Sequence, residues 1–158
     1  MVNARSEKWG GSHAEMFQLA RTAVSNGTPG SDMAVCVFLA HFHIWQWERA
    51  FQKNKVKAEA HLKDKKVNKE LNELLDRWIG GSCQVRRSSI PHLHNAALWY
   101  YLVEDGLTLR RIFALTGNVK DDPWGQLGDA NQKYLAARAM ADAGSMPKKP
   151  GLFGWLKI

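Results

Sequence analysis

Residues 8–27 read KWGGSHAEMFQLARTAVSNG and predict the first helix of the protein. Ser12 precedes Glu15 by three positions, the capping-box spacing, in which each side chain accepts a hydrogen bond from the other residue's backbone N–H. Gly27 tolerates a positive φ, which makes glycine a common residue at a helix end. The apolar residues between these two ends recur every three or four positions and therefore share one face of a helix. They are Met16, Leu19, Ala20, Ala23 and Val24.

The composition is that of a soluble, reduced protein with a real core. A chain of 158 residues with 45% hydrophobic residues is expected to form one domain. It has no apolar run of about eighteen residues and no apolar stretch near its start, which predicts no transmembrane segment and no secretory signal. Two cysteines, Cys36 and Cys83, fit neither a disulfide framework nor a four-ligand zinc site. We therefore expect a cytoplasmic protein.

Helical patterns continue along the chain, separated by glycine and proline. A second helix is predicted from Ser31 or Asp32 through MAVCVFLAHFHIWQWERAFQKN, and residues 55–66 form a lysine-rich helical extension or linker. Asn68 is the predicted N-cap of KELNELLDRWI. Three further helices are predicted: HLHNAALWYYLVED after Pro91, LTLRRIFAL before Gly117, and ANQKYLAARAMADA before Gly144.

The absence of any strand pattern gives the expected fold class. It is all-α, an irregular stack of antiparallel helical hairpins with five to seven helices joined by short connections. Residues 1–144 are expected to form the single domain, and residues 145–158 an irregular tail. The tail, SMPKKPGLFGWLKI, combines basic and apolar side chains and is expected either to pack on the last helix or to dock on a partner or a membrane surface.

The net charge of +7 is concentrated in residues 53–87, which contain ten basic and five acidic residues and so hold five of the seven charges. Such a band either keeps a helical face solvated or attracts phosphates or an acidic partner. If the partner is RNA or DNA, the contacts are expected from six basic residues whose affinity falls steeply with salt. They are Lys55, Lys57, Lys65, Lys66, Arg86 and Arg87.

Seven tryptophans are many for a chain of this length. Most are expected in the core, where large indoles fill irregular space. Tryptophan and arginine also anchor protein interfaces, and stacked hairpins form concave binding faces. We therefore expect one or two tryptophans at a surface that binds another protein, either Trp47 together with Arg49, or Trp99.

The histidines and cysteines give weaker indications of chemistry. His41 and His43, like His92 and His94, are two residues apart, and on a helix such residues point to nearly opposite sides. One member of each pair could meet across a bundle, but no acid lies three residues before any of them, so no metal or other cofactor is predicted. Cys83 lies near two arginines that can lower the pKa of a thiol, yet no base or oxyanion hole accompanies it.

Three segments resemble a known family when taken together. WGGSHAEMFQLAR, HNAALWYYLVEDG and DDPWGQLGDANQKYLAARAMADAG occur in this order. They resemble a mainly actinobacterial family of tetratricopeptide-like helical-hairpin proteins, with a WGGSH helix start and a Pro-Trp turn. The resemblance covers residues 8–50 and 93–143 and implies a small helical domain with no assigned reaction. Residues 53–66 have no counterpart in it. Tyr134 also falls three residues late for the tetratricopeptide consensus, so a regular repeat is not expected.

These observations predict a non-enzymatic interaction or scaffold module that binds another protein. Aromatic residues would anchor the partner, and the basic band would attract its acidic groups. The alternative is a nucleic-acid-binding helical subunit that uses the 53–87 band. An enzyme that uses Cys83 or the histidines is the third and least favoured reading.

Overall fold

Seven helices and no strand are found in the residues that the structure, a computed structural model, describes: 6–7, 10–80, 86–120 and 123–144. The all-α prediction is therefore confirmed. The helices are α1 (His13–Asn26), α2 (Val35–Gln46), α3 (Lys55–Lys63), α4 (Lys65–Ile79), α5 (Ile90–Leu102), α6 (Gly106–Thr116) and α7 (Ala130–Ala143).

The first helix begins as its sequence predicts and ends for a different reason. The Glu15 N–H donates to Ser12 Oγ over 3.2 Å, and the Ser12 N–H donates to Glu15 Oε2 over 3.1 Å, which completes the capping box. Gly27 follows the last helical residue, but its φ is −78° rather than positive. Glycine suits this position by its size, because a Cβ on Gly27 would lie 2.6 Å from Ser31 Oγ and 3.2 Å from the Ala23 carbonyl oxygen.

The predicted second helix divides into several parts. A 3₁₀ turn precedes α2, and a π-helical turn at Trp47–Phe51 follows it. The chain then reverses at Lys53, whose φ of 52° is unusual for a residue with a side chain. The lysine-rich segment that follows is the ordered helix α3, and the Asn54 side chain accepts from the Lys57 N–H at its start.

Asp64, and not Asn68, caps α4, so the predicted N-cap was wrong. Asp64 Oδ1 accepts from the Lys66 N–H over 2.7 Å, and this starts the helix one turn earlier than expected. Asp64 also follows the last residue of α3, so one residue ends one helix and begins the next. Asn68 lies inside α4, where its amide donates to the Leu62 carbonyl over 2.7 Å.

The helices pack antiparallel in contacting pairs and build one core. The contacting pairs run α1 with α2, α2 with α5, α5 with α6, and α6 with α7, while α3 and α4 lie against α2. The core contains large aromatic side chains from most of these helices. They include Phe38, Trp78, Trp99, Tyr100, Phe113, Trp124 and Tyr134.

Asp105 caps α6 with both carboxylate oxygens. Oδ1 accepts from the Thr108 N–H over 3.0 Å, and Oδ2 accepts from Thr108 Oγ1 over 2.7 Å. We expect Asp105→Ala to lower the free energy of unfolding by about 1–2 kcal/mol, because both donors lose their partner. Urea titration followed by circular dichroism measures this change. Asp105→Asn is the matched control and should retain most of the stability; an equal loss in both variants would contradict a capping role.

Candidate functional site

Trp99 was one of the two predicted surface anchors, and this prediction is wrong. The residue is 0% exposed, and its indole Nε1–H donates to Asn68 Oδ1 over 3.0 Å. Its ring packs against the imidazoles of His41 and His61, with both ring centres 5.8 Å away. Trp99 is therefore a core residue that fixes α5 against α4.

Trp47 lies at the surface, but Arg49 does not pair with it. Trp47 is half-buried and stacks on Phe51, with ring centres 5.2 Å apart and planes inclined by 21°. The Arg49 guanidinium instead lies 5.5 Å from the ring centre of the buried Trp45. The aromatic partner of Trp47 is thus Phe51, four residues along the same π-helical turn.

Trp47, Phe51 and Val56 form what we call the corner patch, at the junction of α2 and α3. Phe51 is 51% exposed and Val56 is 79% exposed, and α3 packs against the turn that carries the two aromatic residues. Two uncommon backbone features hold this junction, the π turn and the positive φ of Lys53. Such features cost conformational energy and occur often at functional sites, which marks the corner patch as a candidate.

Three exposed lysines lie close in sequence to the residues of the corner patch. Lys53, Lys55 and Lys57 are exposed, and within the described residues none of them forms an ion pair. Lys55 and Lys57 occupy the first turn of α3, which contains no acidic residue. Because the N-terminal end of a helix is itself electropositive, cations placed there destabilise the helix and strengthen the local positive field.

The six residues predicted for nucleic-acid binding are all exposed, but they belong to three separate segments. Two lie in the first turn of α3, and Lys65 and Lys66 lie in the first turn of α4. Arg86 and Arg87 lie on the connection before α5. Two other lysines of the basic band pair with acids one turn away on their own helix, Lys63 with Glu59 and Lys69 with Glu73.

His41 belongs to a polar network that its spacing in the sequence could not predict. His41 Nδ1 lies 3.2 Å from His61 Nε2, and His41 Nε2 lies 3.2 Å from Glu70 Oε2. Arg21 holds the same carboxylate with two bonds, 2.9 Å from Nε to Oε1 and 3.1 Å from Nη2 to Oε2. The network thus joins α1, α2, α3 and α4.

The ionisation states of this network follow from its geometry. Hydrogen bonding to Arg21 holds the pKa of the Glu70 carboxyl below its usual range, so Glu70 is ionised. Burial lowers the pKa of His41 to about 4 and also lowers the pKa of His61, so both imidazoles are neutral at pH 7. An ionised Glu70 must accept from His41 Nε2–H, which leaves His41 Nδ1 to accept from His61 Nε2–H.

His94 has a structural role on the other side of the core. Trp124 Nε1–H donates to His94 Nδ1 over 3.2 Å, which leaves His94 Nε2–H to donate to the Val119 carbonyl over 2.9 Å. His41 and His94 therefore do not meet across the bundle. Among the described residues, no group of three or more His, Cys, Asp or Glu side chains could hold a metal ion.

Of the two cysteines, the structure describes only Cys36, and its surroundings do not favour a reactive thiolate. Cys36 is half-buried beside the core, and burial raises the pKa of its thiol, which favours the unreactive protonated form. Cys83 and the tail of residues 145–158 lie outside the described residues. The predictions for them stay predictions.

A cavity of about 460 Å³ opens between α1, the connection that follows it, and α4. Its walls combine apolar side chains with charged and hydroxyl groups, and Glu70 of the polar network is among them. The cavity does not include the corner patch, so the described surface contains two separate candidate sites.

Comparison with known proteins gives no relative. No family model, no curated protein and no solved structure matches the chain. The resemblance to tetratricopeptide-like helical-hairpin proteins therefore stays a prediction. No helix in the described part of the chain has the length and apolar character needed to cross a membrane.

Proposed function

We propose that the protein is a non-enzymatic interaction module that binds an acidic segment of another protein at the corner patch. The observation that carries the proposal is the stack of half-buried Trp47 on exposed Phe51, followed along the chain by exposed Val56 and by three lysines that form no ion pair within the described residues. A rigid aromatic pair provides apolar contact area at low cost in conformational entropy, and tryptophan is a frequent hot-spot residue.

The partner's chemistry follows from the charges around the corner patch. Residues 47–57 contain four basic residues and one acidic residue, Glu48. An acidic segment with an apolar side chain would place that side chain on Phe51 and Val56 and its carboxylates beside the lysines. The lysines would mainly accelerate association, and their contribution would weaken as salt rises.

A protein segment fits the corner patch better than a nucleic acid does. One face of the Phe51 ring is covered by Trp47, which leaves less of the ring for stacking with a base. Val56, 79% exposed, offers an aliphatic contact and no stacking surface. The other basic positions lie on different segments, Lys65 and Lys66 on α4 and Arg86 and Arg87 before α5, and not on the turn that carries the aromatic pair.

Fluorescence anisotropy with designed ligands tests the proposal. The probes are a short labelled peptide of Asp and Glu with Leu and Phe, the same peptide with Ser at the apolar positions, and a mixed-sequence single-stranded RNA. We expect saturable binding of the first peptide, weakened about tenfold by Phe51→Ala or Trp47→Ala. Leu135→Ala removes an equally exposed apolar side chain from α7 and should leave binding unchanged.

The remaining outcomes overturn the proposal. Equal binding of the serine peptide would show that charge alone acts and that the aromatic pair is not an anchor. Tighter binding of the RNA, with a steep salt dependence, would establish the nucleic-acid alternative instead. Absence of binding by all three probes at low salt would remove the corner patch as a docking surface.

A further inference from the structure

The cavity beside α1 and α4 has the size and composition of a small-molecule site. At about 460 Å³ it falls within the range typical of ligand pockets. Apolar side chains from three helices form part of its lining: Val24, Val37, Leu74 and Trp78. Trp78 is held in place by its indole N–H, which donates to Asp32 Oδ1 over 3.2 Å.

The shape of the cavity is set by a tightly packed connection. Residues 27–31 line one side, and the Ser31 N–H donates to the Thr28 carbonyl over 3.0 Å within this turn. Gly27 packs closely against this turn, because a Cβ at position 27 would lie 2.6 Å from Ser31 Oγ and 3.3 Å from Met33 Cβ. The wall is therefore preformed, which reduces the entropic cost of binding a ligand.

The charges that line the cavity are matched except for one. The Arg21 guanidinium is neutralised by Glu70 in a two-bond pair, and Glu73 lies 3.8 Å from the ammonium of Lys69. Arg77 makes one long hydrogen bond, 3.4 Å to the Glu73 carbonyl of its own helix, and has no carboxylate partner among the described residues. Within the described part of the chain, Arg77 is thus an exposed cation without an ion-pair partner, beside an apolar wall.

Two hydroxyl groups add polar contacts on the other side of the cavity. Thr28 and Ser31 line it, and neither hydroxyl hydrogen-bonds to another described residue. Their positions allow them to donate to an oxygen of a bound molecule. The lining therefore combines an apolar wall, the Arg77 guanidinium and hydroxyl donors, the combination that recognises an anionic group on an apolar body.

We propose that this cavity binds a small carboxylic acid with an aliphatic or aromatic body. The carboxylate would pair with the Arg77 guanidinium, whose planar fork matches its two oxygens, and the body would lie against Val24, Val37 and Leu74. A monoanion fits better than a phosphate dianion, because the carboxylates of Glu70 and Glu73 also line the cavity and repel added negative charge. This site is independent of the corner patch.

Titration of the isotope-labelled full chain with octanoate tests the site, with octanamide as the neutral probe of the same shape. We expect octanoate to shift the amide signals of Val24 and Ser31 and the indole N–H signal of Trp78. Octanamide should bind about tenfold more weakly, since it lacks the charge. Arg77→Gln should weaken octanoate about tenfold and abolish its advantage over octanamide, whereas Arg77→Lys should restore part of it.

A matched arginine variant controls for general charge effects. Arg87→Gln removes an exposed arginine outside the cavity and should leave octanoate binding unchanged. Equal affinity of the natural chain for octanoate and octanamide would overturn the proposal, as would equal weakening by Arg87→Gln. Absence of shifts at the cavity residues, in a protein whose spectrum shows a folded chain, would also overturn it.

Discussion

Trp99→Ala is expected to lower the free energy of unfolding by about 3–5 kcal/mol. The indole is fully buried, so its removal leaves a cavity between α5 and the helices that carry His41 and His61. The Asn68 carbonyl oxygen also loses its N–H donor. Urea titration followed by circular dichroism measures the loss.

Two further variants separate the effect of burial from the effect of losing an indole ring. Trp99→Phe retains most of the ring volume but loses the hydrogen bond, so it should fall between the alanine variant and the natural protein. Trp47→Ala removes the same side chain from a half-buried position and should cost about 1 kcal/mol or less. Equal losses for Trp47→Ala and Trp99→Ala would contradict the placement of these two residues.

The free energy of unfolding is expected to fall by about 3 kcal/mol as the pH drops from 6.5 to about 4. In the folded protein burial lowers the pKa of His41 to about 4, whereas the unfolded chain retains the ordinary value of 6.5. The unfolded state therefore binds more protons in this window, and stability decreases as the pH falls. The lowered pKa of His61 acts in the same direction.

Thermal or urea unfolding across this pH range measures the effect. The charged and titratable groups that face His41 are Arg21, His61 and Glu70. Because the pKa of Glu70 is lowered, protonation of Glu70 reduces the free energy of unfolding only at more acidic pH. His41→Gln should flatten the profile above pH 4, since glutamine does not titrate. His92→Gln, which alters a histidine outside the network, controls for the general effect of a histidine-to-glutamine substitution. A steep profile that persists in His41→Gln would show that another group controls the acid response.

The ends of the helices could be predicted where they depend on residues close together in the sequence. The Ser12–Glu15 capping box, Pro91 in the first turn of α5 and Gly144 after α7 each act within a few residues of chain, and the structure confirms all three. The N-cap of α4 was missed because Asp64 and Asn68 are both good caps one turn apart. The bond from Asn68 to Leu62, which settles their roles, depends on how α3 and α4 meet.

The candidate sites were less predictable, because they depend on contacts between helices. The polar network joins residues 21, 41, 61 and 70, each from a different helix, so no spacing in the sequence indicates it. The burial of Trp99 could have been predicted from the sequence, because the apolar residues around it in HNAALWYYL cover more than one face of the helix. The exposure of Phe51 follows from the π turn, which changes the direction of side chains that a regular helix would place differently.

The single-residue junction at Asp64 has a mechanical consequence for the two candidate sites. Only one pair of backbone torsions, φ −66° and ψ 117°, separates α3 from α4, and the Asp64 side chain clamps the second helix to it. The Asn68 amide also donates to the Leu62 carbonyl across this junction, so two side-chain contacts restrain the angle between α3 and α4. α3 bears Val56 and α4 bears Arg77, so this restrained angle sets the spacing between the corner patch and the cavity.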